Sequence, residues 1–175
     1  MKTKVDKLSA ATTVFVVAVI LAMTILSCKQ LFADPVQYLI MANADTQELY
    51  FSHQLEDDGV FSVSYIHSVN KTNVEEYYRL ENGDLYLFKT RYRSFGAGVA
   101  TEVAPGQTLR YEDGYMIIEN IHYQLPKLVY KVGTISDPLI HIGSQSWHMK
   151  ELAPSLTSVQ FTIQSKPKPI ISFSN

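Results

Sequence analysis

The side chains most able to do chemistry in this chain are concentrated in two segments, residues 61–76 and residues 91–98. They comprise an imidazole, hydroxyls, cations, carboxylates, aromatic rings and glycines: His67, Ser68, Lys71, Thr72, Glu75, Glu76, Arg91, Tyr92, Ser94, Phe95, Gly96 and Gly98. An imidazole or a carboxylate can act as a general base, and cations beside glycine backbone amides can bind an anion. The two segments are therefore the predicted ligand-binding or partner-binding site.

His67 and Ser68 resemble a base beside a nucleophile, but their arrangement argues against a catalytic pair. Neighbouring residues on a strand point to opposite faces, and the members of a catalytic triad come together from distant positions in the chain. No Gly-x-Ser-x-Gly elbow occurs either. We therefore predict a hydrogen-bonded structural histidine, no catalytic residues and no enzymatic activity. A hydrolase-like enzyme with His67 as its base is kept as an alternative.

Glu75 and Glu76 are adjacent, so on a strand only one of them can face a pocket that holds His67 or Lys71. A hydrolase that uses paired carboxylates needs two acids that converge, and this pair does not supply them. One glutamate bonded to Lys71, or to the backbone of the glycine segment, would join the two segments. A structural role and a ligand-binding role both stay open for these glutamates.

The glycines Gly96 and Gly98 allow two interpretations. Backbone amides in a glycine-rich loop can cradle an anion, and Lys71 with Arg91 or Arg93 would supply positive charge for a small organic anion such as a carboxylate. Alternatively, the glycines mark a bulge or a tight corner of a β-sheet. No Gly-Lys-Ser/Thr follows, which excludes a P-loop.

Charge and composition exclude several classes of protein. From Lys29 onward the chain has 12 basic and 16 acidic residues, a net charge of −4, which argues against nucleic-acid binding. The remaining histidines are His53, His122, His141 and His148, and they lack the close spacing of metal ligands. We therefore predict no metal and no cofactor. Cys28 is the single cysteine, so no intramolecular disulfide can form.

Periodicity predicts an all-β fold. From Phe61 to His67, large side chains occupy the odd-numbered positions, and Ser62 and Ser64 occupy even-numbered positions between them. Such alternation is typical of a half-buried strand. Asn82-Gly83 predicts a hairpin turn between strands at about 74–80 and 85–92. Turn signals recur every 8 to 12 residues, as in a small antiparallel sandwich or a partly open barrel.

The N-terminus predicts attachment to a membrane through one hydrophobic helix. Leu8 to Ser27 is free of charge, and twenty residues at 1.5 Å each give about 30 Å, the thickness of a bilayer core. This segment is either an uncleaved anchor or a lipoprotein signal with Cys28 as the lipidated residue. In both cases lysines precede it, and the following domain faces the periplasm or the extracellular side. The predicted organisation is an anchor or signal (1–29), a linker (30–35), a β domain (36–165) and a tail (166–175).

Several short motifs also carry a resemblance: His67-Ser68, Lys71-Thr72, Val74-Glu75-Glu76 and the run from Arg91 to Gly98. Together they resemble the signature of a bacterial family of domains of unknown function, DUF1850, over roughly residues 36–163. The resemblance implies a small extracytoplasmic protein, often encoded beside TRAP transporters of the TAXI type, and it supplies no catalytic residues. We therefore expect a non-enzymatic accessory protein of a TRAP-type uptake system, which contacts the solute-binding protein or the membrane subunits.

Overall fold

The computed structural model describes residues 12–24, 35–69, 71–93, 103–134 and 137–166. Contacts between residues divide the chain into two compact units, one made of Met1–Pro35 with Pro167–Asn175 and the other of Val36–Lys166. Five residues of the predicted site lie outside the described residues: Cys28, Ser94, Phe95, Gly96 and Gly98.

The described part of the first unit is a helix, α1, at residues 12–24, and its side chains are exposed. Within the described ranges, no helix combines the length and the apolar character needed to cross a bilayer. The spanning or lipidated segment predicted over Leu8–Ser27 and Cys28 therefore stays a prediction.

The described residues of the second unit form eleven strands and one short helix. In chain order they are β1 (Val36–Asn43), β2 (Leu49–Gln54), β3 (Val60–Ile66), β4 (Asn73–Glu81), β5 (Asp84–Tyr92), β6 (Thr108–Glu112), β7 (Tyr115–Leu125), β8 (Leu128–Lys131), β9 (Leu139–Ile142), β10 (Gln145–His148), α2 (Met149–Leu152) and β11 (Ser158–Lys166). They form a four-stranded sheet in the order β2-β1-β11-β8 and a seven-stranded sheet in the order β10-β9-β3-β4-β5-β7-β6. All the strand pairs are antiparallel.

The two sheets share one hydrophobic core. Its largest buried side chains come from both sheets, with Leu39, Met41 and Phe161 on one side and Phe61 and Tyr78 on the other. A smaller apolar cluster covers the same face of the larger sheet around Val74, Tyr92, Met116 and Ile118. This arrangement confirms the predicted all-β, sandwich-like fold, and in the described part of the chain the two sheets do not close into a barrel.

The predicted hairpin turn at Asn82-Gly83 agrees with the structure. Asn82 has φ of 52° and Gly83 has φ of 94°, the left-handed pair that a two-residue hairpin turn requires. The turn connects β4 to β5, whose pairing runs from Glu81–Asp84 to Val74–Tyr92.

The predicted end of β3 was wrong at His67. The strand ends at Ile66, and His67 belongs to the loop that leads into β4. There its amide donates to the carbonyl of Thr72 at 2.9 Å, and its own carbonyl accepts from the amide of Lys71 at 2.9 Å. This backbone closure ends the strand one residue earlier than the alternation of side chains indicates.

Candidate functional site

Glu75 and Arg91, one residue from each of the two chemically rich segments, meet on the outer face of the seven-stranded sheet. Strand register aligns Ser64 with Glu75 and Glu75 with Arg91, and it aligns Ser62 with both Tyr77 and His141. Residues with matching parity on β3, β4, β5, β7 and β9 therefore share one face. We call it the outer polar face, and its members are Ser62, Ser64, Glu75, Tyr77, Lys89, Arg91, Arg93, Tyr115 and His141.

Glu75 is the residue that joins the two segments. One of its carboxylate oxygens accepts a hydrogen bond from the Ser62 hydroxyl at 3.0 Å, and the other lies 3.7 Å from the Arg91 guanidinium. The sequence left open a bond from a glutamate to Lys71 or to the glycine segment, whereas the ion pair in the structure is with Arg91. It follows directly from register, because Glu75 and Arg91 are opposite each other on β4 and β5.

Arg91 and Arg93 both contact one aromatic ring. The guanidinium carbon of Arg91 lies 3.7 Å from the centroid of the Tyr115 ring, and that of Arg93 lies 4.8 Å from it. A guanidinium above an aromatic face is held by the negative face of the ring. The result is an ordered stack of two cations and one ring, beside the pair formed by Glu75 and Arg91.

Tyr77 and Ser64 extend the polar network toward the β9 edge. Burial and then the nearby charge of Glu75 raise the pKa of Tyr77 to about 12, and its phenol donates a hydrogen bond to Glu75. The hydroxyl of Ser64 lies 2.7 Å from Nε2 of His141. Ser62 and Ser64 are both buried, at 4% and 7% exposure.

A cleft of about 310 Å³ opens beside Ser62 and Glu75. It is lined by Glu56, Asp58, Val60, Phe61, Ser62, Glu75, Tyr77, His141 and Gly143. Glu56 lies so close to Gly143 that a Cβ at that position would overlap its carboxyl group, and Gly143 has φ of 55°. The glycine therefore lets the β2–β3 turn reach across to the β9–β10 turn.

Glu76 points in the opposite direction, into the space between the sheets. Its Oε2 accepts hydrogen bonds from Tyr78 at 2.9 Å and from Tyr130 at 2.6 Å, and the two phenols lie 2.7 Å apart. Tyr65 also donates to Glu76, and burial, reinforced by this carboxylate, raises its pKa. Glu76 thus ties β4 to β8 of the other sheet, and the prediction that the two glutamates face opposite sides is confirmed.

The remaining residues of the first segment lie in the β3–β4 loop. His67 is half-buried, and its Nδ1 accepts from the amide of Val69 at 3.4 Å. Ser68 and Lys71 are exposed, Thr72 is half-buried, and Lys71 has φ of 54°. These contacts give His67 a structural role in the loop, and its use as a general base remains a hypothesis.

Tyr92 belongs to the second segment but does not join the outer polar face. Its side chain is 5% exposed and packs with Val74, Met116 and Ile118 in the smaller apolar cluster. Of the other residues predicted there, Arg91 lies in the face and the rest lie outside the described residues.

A separate ion-pair cluster lies at the β10 edge. Asp137 Oδ2 is 2.7 Å from His148 Nδ1 and 2.8 Å from Lys150 Nζ. Partial burial acts against ionisation, but hydrogen bonds from Lys150 and His148 hold the pKa of Asp137 below its usual range. Across the described ranges, no three histidine, cysteine or acidic side chains are placed to hold a metal ion together.

Four functional candidates were missed from the sequence: Ser62, Tyr77, Tyr115 and His141. None of them stands out in its own segment, and each becomes part of the network through strand pairing. His141, for example, pairs with Ser62 although the two residues are 79 positions apart in the sequence. Alternation placed Ser62 on the polar face of β3, but no local signal indicates which strand lies beside it.

Comparison with known proteins identifies a family. The sequence model of the family described as a domain of unknown function (DUF1850) matches residues 61–149, from the second residue of β3 to the first residue of α2. No curated protein and no solved structure matches the chain. The match contains Glu75, Arg91, Tyr115 and His141, and hence most of the outer polar face.

Proposed function

The chain belongs to the DUF1850 family of domains of unknown function, and on that premise we propose that it is a non-enzymatic accessory protein that acts by protein–protein contact. The contact surface is the outer polar face of the seven-stranded sheet. The observation that carries this proposal is the stack of Arg91 and Arg93 on Tyr115, held in place by Glu75.

The composition and order of this stack favour a protein partner. Tyrosine and arginine are enriched at protein interfaces and among the residues that contribute most to binding energy. Arg91 is already restrained by an ion pair and a ring contact, so little side-chain entropy remains to be lost on association. A neighbouring sheet or loop of a partner can therefore dock on a surface that is largely preformed.

The proposed partner is a component of a TRAP-type solute uptake system, either its solute-binding protein or its membrane subunits. This identification comes from the family resemblance. We place the β domain on the periplasmic or extracellular side, attached through the N-terminal segment. Contact with a transporter component would then occur close to the membrane surface.

The test is affinity purification of the full chain from native membranes in mild detergent, with wild type beside Arg93→Glu. Arg93 is exposed, and reversal of its charge removes one half of the cation stack without cutting into the core. We expect transporter subunits to co-purify with wild type and their recovery to fall about tenfold or more in the variant, since a lost interface hot spot costs roughly 2 kcal/mol.

The matched control is Lys131→Glu. Lys131 is an exposed cation on β8, in the four-stranded sheet, so its reversal makes the same change in net charge outside the sheet that carries Tyr115. Equal losses in both variants would assign the effect to bulk charge and would refute the outer polar face as the docking surface. Absence of any transporter subunit with wild type would refute the proposed partner.

A small-anion binding module is the second candidate, because two exposed cations lie at the same end of the seven-stranded sheet. Lys71 precedes the start of β4 and Arg93 follows the end of β5, and the strands pair from Val74 with Tyr92 at that end. A carboxylate held there would raise the thermal unfolding midpoint of wild type. A screen of organic acids that leaves the midpoint unchanged would eliminate this candidate.

A further inference from the structure

We infer that the cleft between the β2–β3 turn and the β9–β10 turn binds a small organic cation that carries an ammonium or guanidinium group. The cleft is formed by the groups around Ser62, Glu75 and His141 and does not include the stack on Tyr115. It shares Ser62, Glu75, Tyr77 and His141 with the outer polar face, but none of the three residues in the stack that carries the proposed docking surface lines it.

The hydrogen-bonding capacity of the lining side chains defines the ligand. Ser62 is 4% exposed, and its hydroxyl gives its one proton to Glu75 and presents the lone pairs of its oxygen. The phenol of Tyr77 also donates to Glu75. Glu56 and Asp58 add carboxylates, whose oxygens accept hydrogen bonds. Apart from His141, the polar lining thus offers acceptors, and a ligand with several N–H donors complements it.

The charge of the lining supports the same class of ligand. Three carboxylates line the cleft, and Arg91, the cation nearest to Glu75, is not part of the lining. Among the described residues, the contacts of Glu56 and Asp58 include no ion pair, and Asp58 accepts only the amide of Val60 at 3.0 Å. A bound cation would therefore meet two carboxylates, Glu56 and Asp58, that no basic side chain in the described part of the chain neutralises, beside Glu75, which is already paired with Arg91.

The geometry favours an organic cation over a metal ion. The acidic side chains and His141 do not converge closely enough to act as a set of metal ligands in the described ranges. A cleft of about 310 Å³ instead accommodates a ligand with the size of an amino acid or a diamine. The carboxyl group of Glu56 lies directly against Gly143, in space that a Cβ at that position would occupy.

The experiment is isothermal titration calorimetry of the full chain in mild detergent. The probes are agmatine, the blocked peptide acetyl-Gly-Arg-Gly-amide, and glutarate as an anion of similar length. We expect saturable binding of agmatine or of the peptide and no binding of glutarate. Binding of agmatine assigns a free small molecule as the ligand, and binding of the peptide alone assigns an arginine side chain of a protein.

Two neighbouring carboxylates provide matched variants. Glu56→Gln removes a charge that lines the cleft, whereas Asp57→Asn removes the same charge one residue away, at a side chain that does not line it. We expect binding of the cation to weaken about tenfold in Glu56→Gln, as for loss of one charge-assisted contact, and less than about twofold in Asp57→Asn.

Absence of saturable binding for both cationic probes would overturn the inference, and so would equal weakening in the two variants. The outcome is independent of the purification with Arg93→Glu, because that variant leaves the lining of the cleft intact. Each proposal can thus fail without the other.

Discussion

At the scale of single residues, two adjacent glutamates have separate tasks. Glu75 organises the outer polar face through Ser62 and Arg91, and Glu76 accepts hydrogen bonds from tyrosines between the sheets. Alternation along β4 explains the division, since consecutive side chains leave a strand on opposite sides. Their positions also mean that changes at Glu75 should affect binding and changes at Glu76 should affect stability.

The hydrogen bond from Tyr130 to Glu76, which connects the two sheets, predicts the effect of Tyr130→Phe. This change removes the phenol that donates to Glu76 at 2.6 Å and leaves a half-buried carboxylate with one donor fewer. We expect the free energy of unfolding to fall by about 1–3 kcal/mol, as when a buried polar group loses its partner. Chemical denaturation measures it, and Tyr123→Phe, at a side chain that is 61% exposed, is the control. Equal effects in the two variants would contradict the role of Glu76.

The same tyrosines predict how stability depends on alkaline pH. Burial, with the charge of Glu76 as a further cause, raises the pKa of Tyr65, Tyr78 and Tyr130 above that of unfolded tyrosine. Between about pH 10 and the higher folded values, the unfolded chain has released phenolic protons that the native chain keeps, so stability falls as pH rises. Below about pH 10 this contribution is fully present.

Denaturation curves at pH 8, 10 and 11 test this dependence. We expect a midpoint that is steady up to about pH 9 and declines above about pH 10. Tyr130→Phe should decline less steeply, because it removes one of the groups whose proton binding differs between the folded and unfolded chains. A variant that declines as steeply as wild type would refute the contribution of Tyr130.

At the scale of elements, the turns were predictable and the neighbours of each strand were not. Asn82-Gly83 carries its conformation in the residues themselves, so the hairpin of β4 and β5 follows from local sequence. That β9 pairs with β3 depends on contacts across some 80 residues, and the role of His141 depends on that pairing. Local patterns hold no information about such partners, which is why Glu75 was recognised as a candidate and Ser62 was not.

The hairpin turn gives a prediction for Gly83→Ala. Gly83 has φ of 94°, and no atom lies within 4 Å of a Cβ built there, so strain of the backbone is the only cost. We expect a loss of about 1 kcal/mol in the free energy of unfolding, the cost of a left-handed residue with a side chain. Asp84→Ala, at the neighbouring exposed position, should change it by less than about 0.5 kcal/mol. Equal losses would show that the effect does not come from the turn.

At the scale of the whole molecule, the sandwich depends on its core and not on covalent cross-links. The unit Val36–Lys166 contains no cysteine, because the single cysteine of the chain is Cys28. We expect a fragment of residues 36–166 to unfold cooperatively, with the same midpoint in the presence and absence of a reducing agent. A midpoint that shifts with reductant, or a broad transition without cooperativity, would contradict this expectation.

The fold class was predictable because composition, alternation and turn spacing all indicate strands, and the structure confirms an all-β, sandwich-like domain. The site was predictable in part. Glu75 and Arg91 stood out by charge and lie together, whereas Tyr92 proved to be a core residue and His67 a residue of the loop. Charge and functional groups identify candidates, and only the packing of the sheets decides which of them meet.

Glu75 and Glu76 also have a consequence for how β4 finds its correct alignment on β3 during folding. A slip of β4 by one residue against β3 would exchange Glu75 and Glu76 and place a carboxylate on each face as before. The two glutamates therefore place charge equally well in both alignments and do not favour the correct one. The correct alignment of β4 on β3 must therefore be selected by Val74 and Tyr78, whose burial a slip would reverse. Misaligned, kinetically trapped chains should accordingly accumulate when Tyr78 is replaced by a polar residue.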